Sequence, residues 1–115
     1  MRAEEAGAGV AMRCAIARAL ALGPAQLIYD EPTSGLDPDA ARLLDALLVE
    51  LSAEGVGALV ISHDRLSLFG IAERVVYLSK GQVAFDGTPA ELRASSDAAV
   101  QQFVEGRADG PIPDW

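Results

Sequence analysis

Two short apolar runs, each followed at once by polar residues, constrain the fold more than any other feature of this chain. AQLIY covers residues 25–29 and GALVIS covers residues 57–62. Each run is bounded by turn residues, which predicts a fully buried strand. A segment with helical spacing lies between them, and alternation of strands with helices predicts an α/β fold with a mainly parallel sheet.

The segment between the two runs has the pattern of one helix. Asp37 can cap it, Pro38 suits its first turn and Gly55 can end it. Its leucines recur at helical spacing, at Leu43, Leu44, Leu47, Leu48 and Leu51. An alanine-rich helix is predicted before the first run, from about Val10 to Leu22, where Gly23 and Pro24 stop it.

Smaller elements are predicted in the rest of the chain. Asp64 can cap a helix running to about Glu73, and VVYLS, Lys80-Gly81 and QVAFDG together predict a β-hairpin over residues 75–87. The capping box at 88–91 starts a short helix. Another helix is predicted over residues 97–105, followed by an irregular tail.

Composition narrows the class of protein. The chain has 115 residues, which suits one domain. It carries 9 basic and 17 acidic residues, a net charge of −8, which argues against a nucleic-acid surface. The single cysteine, Cys14, excludes an intramolecular disulfide and fits a reducing compartment. With no apolar run long enough to span a membrane, a cytosolic protein is expected.

Polar residues follow both predicted strands at the point where each strand ends. Asp30 and Glu31 follow the first strand and His63 follows the second. Ligands of parallel sheets bind beyond these ends. Asp30 is suited to hold Mg²⁺, and Glu31 is suited to orient or deprotonate a water aimed at a phosphoryl group. His63 is suited to donate a hydrogen bond to a phosphate oxygen. Together these three roles suit nucleotide hydrolysis. Turn capping and local hydrogen bonds explain the same residue types, so chemistry alone leaves both interpretations open.

Three ordered motifs resemble those of ATP-binding cassette (ABC) ATPases. LIYDEPTSGLD resembles their Walker B strand and D-loop, and VISHD resembles their switch-histidine segment. RCAIARALALGPAQLIYDEP is similar to the helix and strand after their signature loop. The ending VQQFVEGRADGPIP is similar to the ATPase of bacterial MCE-linked lipid-asymmetry importers of phospholipid or sterol. The resemblance extends from about Gly9 to the tail.

The resemblance implies a partial P-loop NTPase (RecA-like) layer with a C-terminal hairpin and helices. Residues 1–115 would form one partial ABC ATPase domain. Within it, residues 1–9 would be a degenerate signature region, 10–96 the half with Walker B, D-loop and switch histidine, and 97–115 the C-terminal helix and tail.

The same resemblance implies a role for each site residue. Asp30 would lie near Mg²⁺ and Glu31 would polarise the attacking water. His63 would reach the γ-phosphate of ATP. Ser34, Gly35, Leu36 and Asp37 would form the D-loop, which contacts the opposing subunit of the ATP-bound dimer. Gly9 would be retained from the signature loop, and the N-terminus of the helix that follows it would be available to a phosphate.

Two departures from the family weaken these expectations. No G-x-x-x-x-G-K-[ST] loop occurs in the 115 residues, so the phosphate-loop strand is missing. GALVIS and VVYLS would then lack their shared neighbour, which predicts a gapped sheet and marginal stability. Where the family has Leu-Ser-Gly-Gly, the chain reads AGAG at 6–9. Tight binding of ATP and Mg²⁺ by this chain is therefore not expected.

The functional expectation is an ATP-binding and ATP-hydrolysing subunit of an ABC transporter for lipid import or trafficking. It would be an N-terminally truncated fragment, from a truncated gene or a misassigned start, that does not hydrolyse ATP alone. Its partners would be a full-length ATPase subunit and a membrane permease, at the cytoplasmic face of the inner membrane. The alternatives are a dimerisation or regulatory fragment that binds such partners, a non-functional remnant, and an unrelated α/β domain.

Overall fold

The structure is a computed structural model, and it describes residues 7–108 and 110–111. The elements in chain order are α1 (Gly7–Leu20), β1 (Gln26–Asp30), α2 (Pro38–Ala53), β2 (Gly57–Ile61), α3 (Arg65–Ile71), β3 (Val75–Ser79), β4 (Gln82–Gly87), α4 (Pro89–Ala94) and α5 (Ala98–Glu105). The chain divides into two compact units, Met1–Ile71 and Ala72–Trp115. No helix in the described ranges is long and apolar enough to cross a membrane.

The first unit is built around a β–α–β crossover. β1 and β2 pair in parallel, with Ile28 opposite Leu59 and Asp30 opposite Ile61. Parallel strands need a long connection, and α2 supplies it. The crossover confirms the α/β class predicted from the alternating pattern.

Local signals set the ends of α2 as predicted. The Asp37 carboxylate accepts a hydrogen bond of 2.8 Å from the Ala40 N–H, and Pro38 occupies the first helical position. At the other end, Gly55 has a φ of 100°, a conformation that a residue with a side chain rarely adopts.

The core of the first unit combines one face of α2 with α1 and β1. Its buried members are Ile16, Tyr29, Leu44, Leu48 and Leu51. Three of the five periodic leucines are thus buried, whereas Leu43 is 59% exposed on the outer face of the helix. The helical spacing therefore predicted which stripe of α2 forms the core.

The prediction of fully buried strands was wrong. Tyr29 is buried, but Ile28 and Leu59 are 71% and 60% exposed and Ile61 is also exposed. Side chains alternate between the two faces of a sheet. The face with Leu27, Tyr29 and Val60 packs against the core, and the alternate residues point away from it.

The N-terminal helix differs from its predicted limits. α1 begins at Gly7, before the predicted Val10, and ends at Leu20. Gly9 therefore lies inside the first turn instead of preceding the helix. Ala6, the first residue of the AGAG stretch, lies outside the described residues, as do residues 1–5.

The second unit contains the predicted hairpin and the last two helices. β3 and β4 pair antiparallel, and positive φ angles at Lys80 and Gly81 (52° and 75°) match the two-residue turns that suit a hairpin. The capping box of Thr88 and Glu91 starts α4, as predicted. Asp97 caps α5, and Gly106 ends it in the left-handed conformation.

Among the described residues, the core of the second unit is small. Its buried hydrophobic residues are Val75, Leu92, Val100 and Phe103. The Tyr77 ring lies 5.4 Å from that of Phe103. The predicted irregular tail is described only at 107–108 and 110–111, and its other residues lie outside the described part.

The described strands form two separate two-stranded sheets, β1 with β2 and β3 with β4. GALVIS and VVYLS, which contain β2 and β3, therefore belong to different sheets, in agreement with the predicted gap. Of these two sheets of the described residues, only the β1–β2 sheet is parallel.

Candidate functional site

The candidate site begins where β1 and β2 end side by side. Asp30 pairs with Ile61 in the parallel register, and the Glu31 N–H extends the ladder by donating to the Ile61 carbonyl at 2.7 Å. The residues that follow β1 and β2 therefore leave the sheet at one edge. This edge brings the predicted strand-end residues together.

The backbone turns sharply at Glu31. Its φ of 48° is in the left-handed region, which is uncommon for a residue other than glycine. The Ser34 N–H closes the turn on the Glu31 carbonyl at 3.1 Å. Such a conformation costs about 1–3 kcal/mol and is typical of functional sites.

Glu31 and His63 are in contact. His63 Nδ1 is within hydrogen-bonding distance of Glu31 Oε1, with the histidine side chain 83% exposed and that of glutamate 34% exposed. An ionised carboxylate can only accept, so Nδ1 carries the proton. With the proton on Nδ1, Nε2 of a neutral ring is an acceptor.

Asp30 is exposed at the end of β1. A single accessible carboxylate fits Mg²⁺, which commonly binds one or two carboxylates and keeps several water molecules. In the described part of the chain, no three His, Cys, Asp or Glu side chains form a metal-holding group.

The other predicted site residues have mainly structural contacts. Ser34 lies in the turn after Glu31, and the Asp37 carboxylate caps α2. A Cβ at Gly9 would lie 3.9 Å from Leu36 Cδ2. The first turn of α1 and the segment predicted as the D-loop are therefore adjacent.

A small apolar pocket also reaches this edge. Its volume is about 130 Å³, and its lining includes Met12, Ile16, Ile28 and Asp30. Apolar walls do not compensate the charge of a phosphate. The pocket is therefore distinct in chemistry from the Glu31–His63 pair.

A polar network centred on Asp64 lies beside the pair. The Asp64 carboxylate accepts hydrogen bonds from the Thr33 hydroxyl (3.1 Å), from Arg42 Nη2 (2.6 Å) and from the Ser67 hydroxyl and N–H (3.1 and 3.2 Å). Burial by itself raises the pKa of this carboxyl. The hydrogen bonds from Ser67, Arg42 and Thr33 together outweigh that effect, so the pKa lies below its usual value.

The network continues into α2. Arg42 Nη1 lies 3.1 Å from Asp45 Oδ2, and the Ser67 hydroxyl donates to that same oxygen at 2.9 Å. Asp45 is 6% exposed. Sequence reasoning identified Asp64 only as a helix cap and missed its partners. The available signal was Asp45, a carboxylate that interrupts the leucine stripe of α2.

Curated proteins with similar sequences are ATP-binding proteins of transport systems. No protein-family model matches the chain. The intermembrane phospholipid transport system ATP-binding protein MlaF of Escherichia coli K12 is 41% identical over 110 residues, which are 95% of this chain. The energy-coupling factor transporter ATP-binding protein EcfA of Methanothermobacter thermautotrophicus is 43% identical over 84 residues, 73% of this chain and 27% of that protein.

Solved structures agree with the sequence comparisons. A nucleotide-free ATP-binding cassette of an ABC transporter superposes with a TM-score of 0.77 over 84% of this chain and 39% of that one, at 24% identity, which supports the fold. A dimeric ATP-binding cassette in a post-hydrolysis state with ADP and phosphate has a TM-score of 0.63 at 34% identity, over 70% of this chain and 34% of that one.

The chain spans only part of its relatives, 41% of the length of the E. coli protein. Within that span, the sequence identity and the superposed folds agree on one family. The chain belongs to the ATP-binding proteins of ABC transporters, and it resembles MlaF, the ATP-binding protein of a phospholipid transport system.

Proposed function

We propose that this chain provides the water-activating half of the ATPase site in an ABC transporter for lipids. The observation that carries the proposal is the contact of Glu31 with His63 at the carboxyl edge of the parallel β1–β2 pair. A carboxylate held by a neighbouring histidine at this edge is suited to orient a water and accept its proton.

Each residue of the site has a separate task in this proposal. Glu31 is the general base, and the Nδ1–H of His63 fixes the orientation of its carboxylate. Asp30 is the residue that would hold Mg²⁺, directly or through a water. When bound, Mg²⁺ supplies positive charge that offsets the negative charge of the phosphates and of the site carboxylates.

The transported substrate class and the partners are inferred from relatives. MlaF of E. coli is named for intermembrane phospholipid transport, and a protein of the same name from Haemophilus influenzae is 36% identical. We therefore assign lipid as the cargo. A membrane permease and a second ATPase subunit are the proposed partners, at the cytoplasmic face of the membrane, with Ser34 to Asp37 facing the second subunit.

The 115-residue polypeptide alone is proposed to be inactive. Its sequence has no G-x-x-x-x-G-K-[ST] loop, whose amides and lysine cradle phosphates. Asp30 and Glu31 place negative charge where the nucleotide's phosphates would approach. If this polypeptide alone released phosphate from ATP, and Glu31→Gln abolished that release, the proposal that it is inactive would be contradicted.

A chimera tests the proposed roles. Residues 10–115 replace the matching segment of E. coli MlaF, so the relative supplies everything that precedes that segment. We expect the chimera to release phosphate from ATP and Glu31→Gln to slow this release by about 10²-fold or more, since a general base contributes about 10²–10⁴-fold.

The matched control for that experiment is Glu50→Gln. Glu50 is an exposed glutamate on α2, outside the site, and its substitution should leave the rate unchanged. A chimera that hydrolyses ATP equally well with and without Glu31→Gln would contradict the assignment of Glu31 as the base.

A further inference from the structure

We infer that Asp64 is a positioning residue that sets the geometry of the Glu31–His63 pair through Thr33 and Arg42. The inference rests on the proposed function of that pair, and it assigns the network beside it a role in the reaction. Asp64 itself contacts neither Glu31 nor His63 through its side chain in the described hydrogen bonds, so it acts through its neighbours.

One carboxylate connects the two loops that carry the pair. Asp64 directly follows His63 in the chain, and Thr33 comes two residues after Glu31. The Thr33 hydroxyl, on a residue only 8% exposed, donates to Asp64 Oδ2 at 3.1 Å. The loop after β1 and the loop after β2 are thereby held together at a point adjacent to both reactive side chains.

The same carboxylate is fixed to the helical framework. Arg42 of α2 donates to Asp64 at 2.6 Å and pairs with buried Asp45 at 3.1 Å. Ser67 of α3 donates its N–H to Asp64, and its hydroxyl, which has one proton to donate, lies within hydrogen-bonding distance of both Asp64 and Asp45. Because α2 also carries core residues such as Leu48, the two loops are held relative to a packed element.

The pair needs such a support because its own contact is exposed. His63 is 83% exposed, and an exposed polar contact holds two side chains only weakly. Catalytic groups must stay within about 0.5 Å of their working geometry, which demands supporting hydrogen bonds. The partly buried Asp64 network supplies a support that solvent screens less.

The single histidine of the chain gives a direct measurement. His63 is the only source of imidazole resonances, so their chemical shifts in the 115-residue protein report its environment without background. The change in the His63 Cε1–H shift caused by Glu31→Gln measures the contact. We expect this change to fall by more than half in Thr33→Val, which removes the hydroxyl, and to persist in Thr33→Ser, which keeps it.

A second set of variants separates positioning from stability. Asp64→Asn should reduce the Glu31→Gln effect as Thr33→Val does, whereas Asp86→Asn, which removes an exposed ion pair with Arg74, should not. In the MlaF chimera, Thr33→Val is expected to lower kcat several-fold with little change in KM. An undiminished Glu31→Gln effect in folded Thr33→Val and Asp64→Asn proteins would overturn the inference.

The remaining outcomes are equally decisive. Loss of the far-ultraviolet helix signal in both variants, with Asp86→Asn folded, would assign the network to stability and overturn a positioning role. If the histidine shifts follow the expectation while the chimera hydrolyses no ATP, the positioning inference is upheld and the proposed function fails.

Discussion

Asp64 shows how much one side chain can depend on its neighbours. Its carboxylate accepts hydrogen bonds from Thr33, Arg42 and Ser67, and its pKa is lowered because these bonds outweigh the effect of burial. Asp86 has a lowered pKa as well, owing to its hydrogen bonds with Arg74, but that pair is exposed. Solvent therefore screens the contribution of Asp86 more strongly than that of Asp64.

These pKa directions predict a loss of stability in acid. A carboxyl with a lowered pKa in the folded state stabilises that state above its unfolded pKa of about 3.9. The contribution is lost as the pH falls through the folded pKa, since the unfolded state then binds more protons. We expect the urea midpoint to be nearly constant from neutral pH to about 5 and to fall below about 4.

Asp64→Asn tests the source of this acid sensitivity. The variant should be less stable than the parent at neutral pH and should lose less stability between pH 5 and pH 2. Asp86→Asn serves as the comparison and should retain most of the fall. An Asp64→Asn protein with the same acid dependence as the parent would refute the prediction.

At the scale of elements, α2 organises the first unit. It is the crossover between β1 and β2, and its buried stripe of Leu44, Leu48 and Leu51 forms much of the core. Its polar residues Arg42 and Asp45 hold the network at the site. One helix therefore supplies both the packing and the support for the strand ends.

A pair of leucine substitutions on α2 tests this organisation. Leu48 is 2% exposed, so Leu48→Ala should lower the free energy of unfolding by about 2–5 kcal/mol, from lost burial and the cavity left behind. Leu43→Ala, at an outer position of the same helix, should cost less than about 0.5 kcal/mol. Urea unfolding followed by circular dichroism compares them, and equal losses would contradict the assigned core face.

Local signals made the elements predictable. Asp37, the Lys80-Gly81 turn and the Thr88 capping box each act on residues a few positions away, so the sequence pattern and the structure agree. Exposure of Ile28 and Leu59 was not predictable in this way. An apolar residue in a strand reveals only that it can be buried, and which face is covered depends on distant segments.

The candidate site likewise has one part that the sequence predicts and one part that depends on distant segments. The placement of Glu31 and His63 at one edge follows from the rule that parallel strands end together, and it needed only the order of the elements. The contacts of Asp64 with Thr33 and Arg42 join residues far apart in the chain through particular side-chain conformations. No local pattern encodes those conformations.

At the scale of the whole molecule, much apolar surface remains exposed. Large hydrophobic residues that are at least 44% exposed include Ile28, Leu59, Ile61, Leu66, Val76, Leu78 and Val83. The described strands form two separate sheets, and the described core residues are few. Each strand pair therefore has little support from further strands, which favours marginal stability.

Calorimetry tests this expectation of marginal stability. A compact protein unfolds with about 0.7 kcal/mol per residue near 60 °C, or about 80 kcal/mol for a chain of 115 residues. We expect a smaller enthalpy and a broad transition, with a lower value per residue than for full-length E. coli MlaF measured alongside. A sharp two-state transition with the full enthalpy would contradict the expectation.

The two strand pairs have different consequences for the order in which the chain acquires structure. β3 and β4 meet through a two-residue turn, so little chain entropy is lost before their first hydrogen bonds form. β1 and β2 pair only after the segment that contains α2 has folded back to connect them. Parallel pairing of strands so far apart in the sequence is slow. We therefore expect the edge that carries Glu31 and His63 to be assembled late, after α2 has formed.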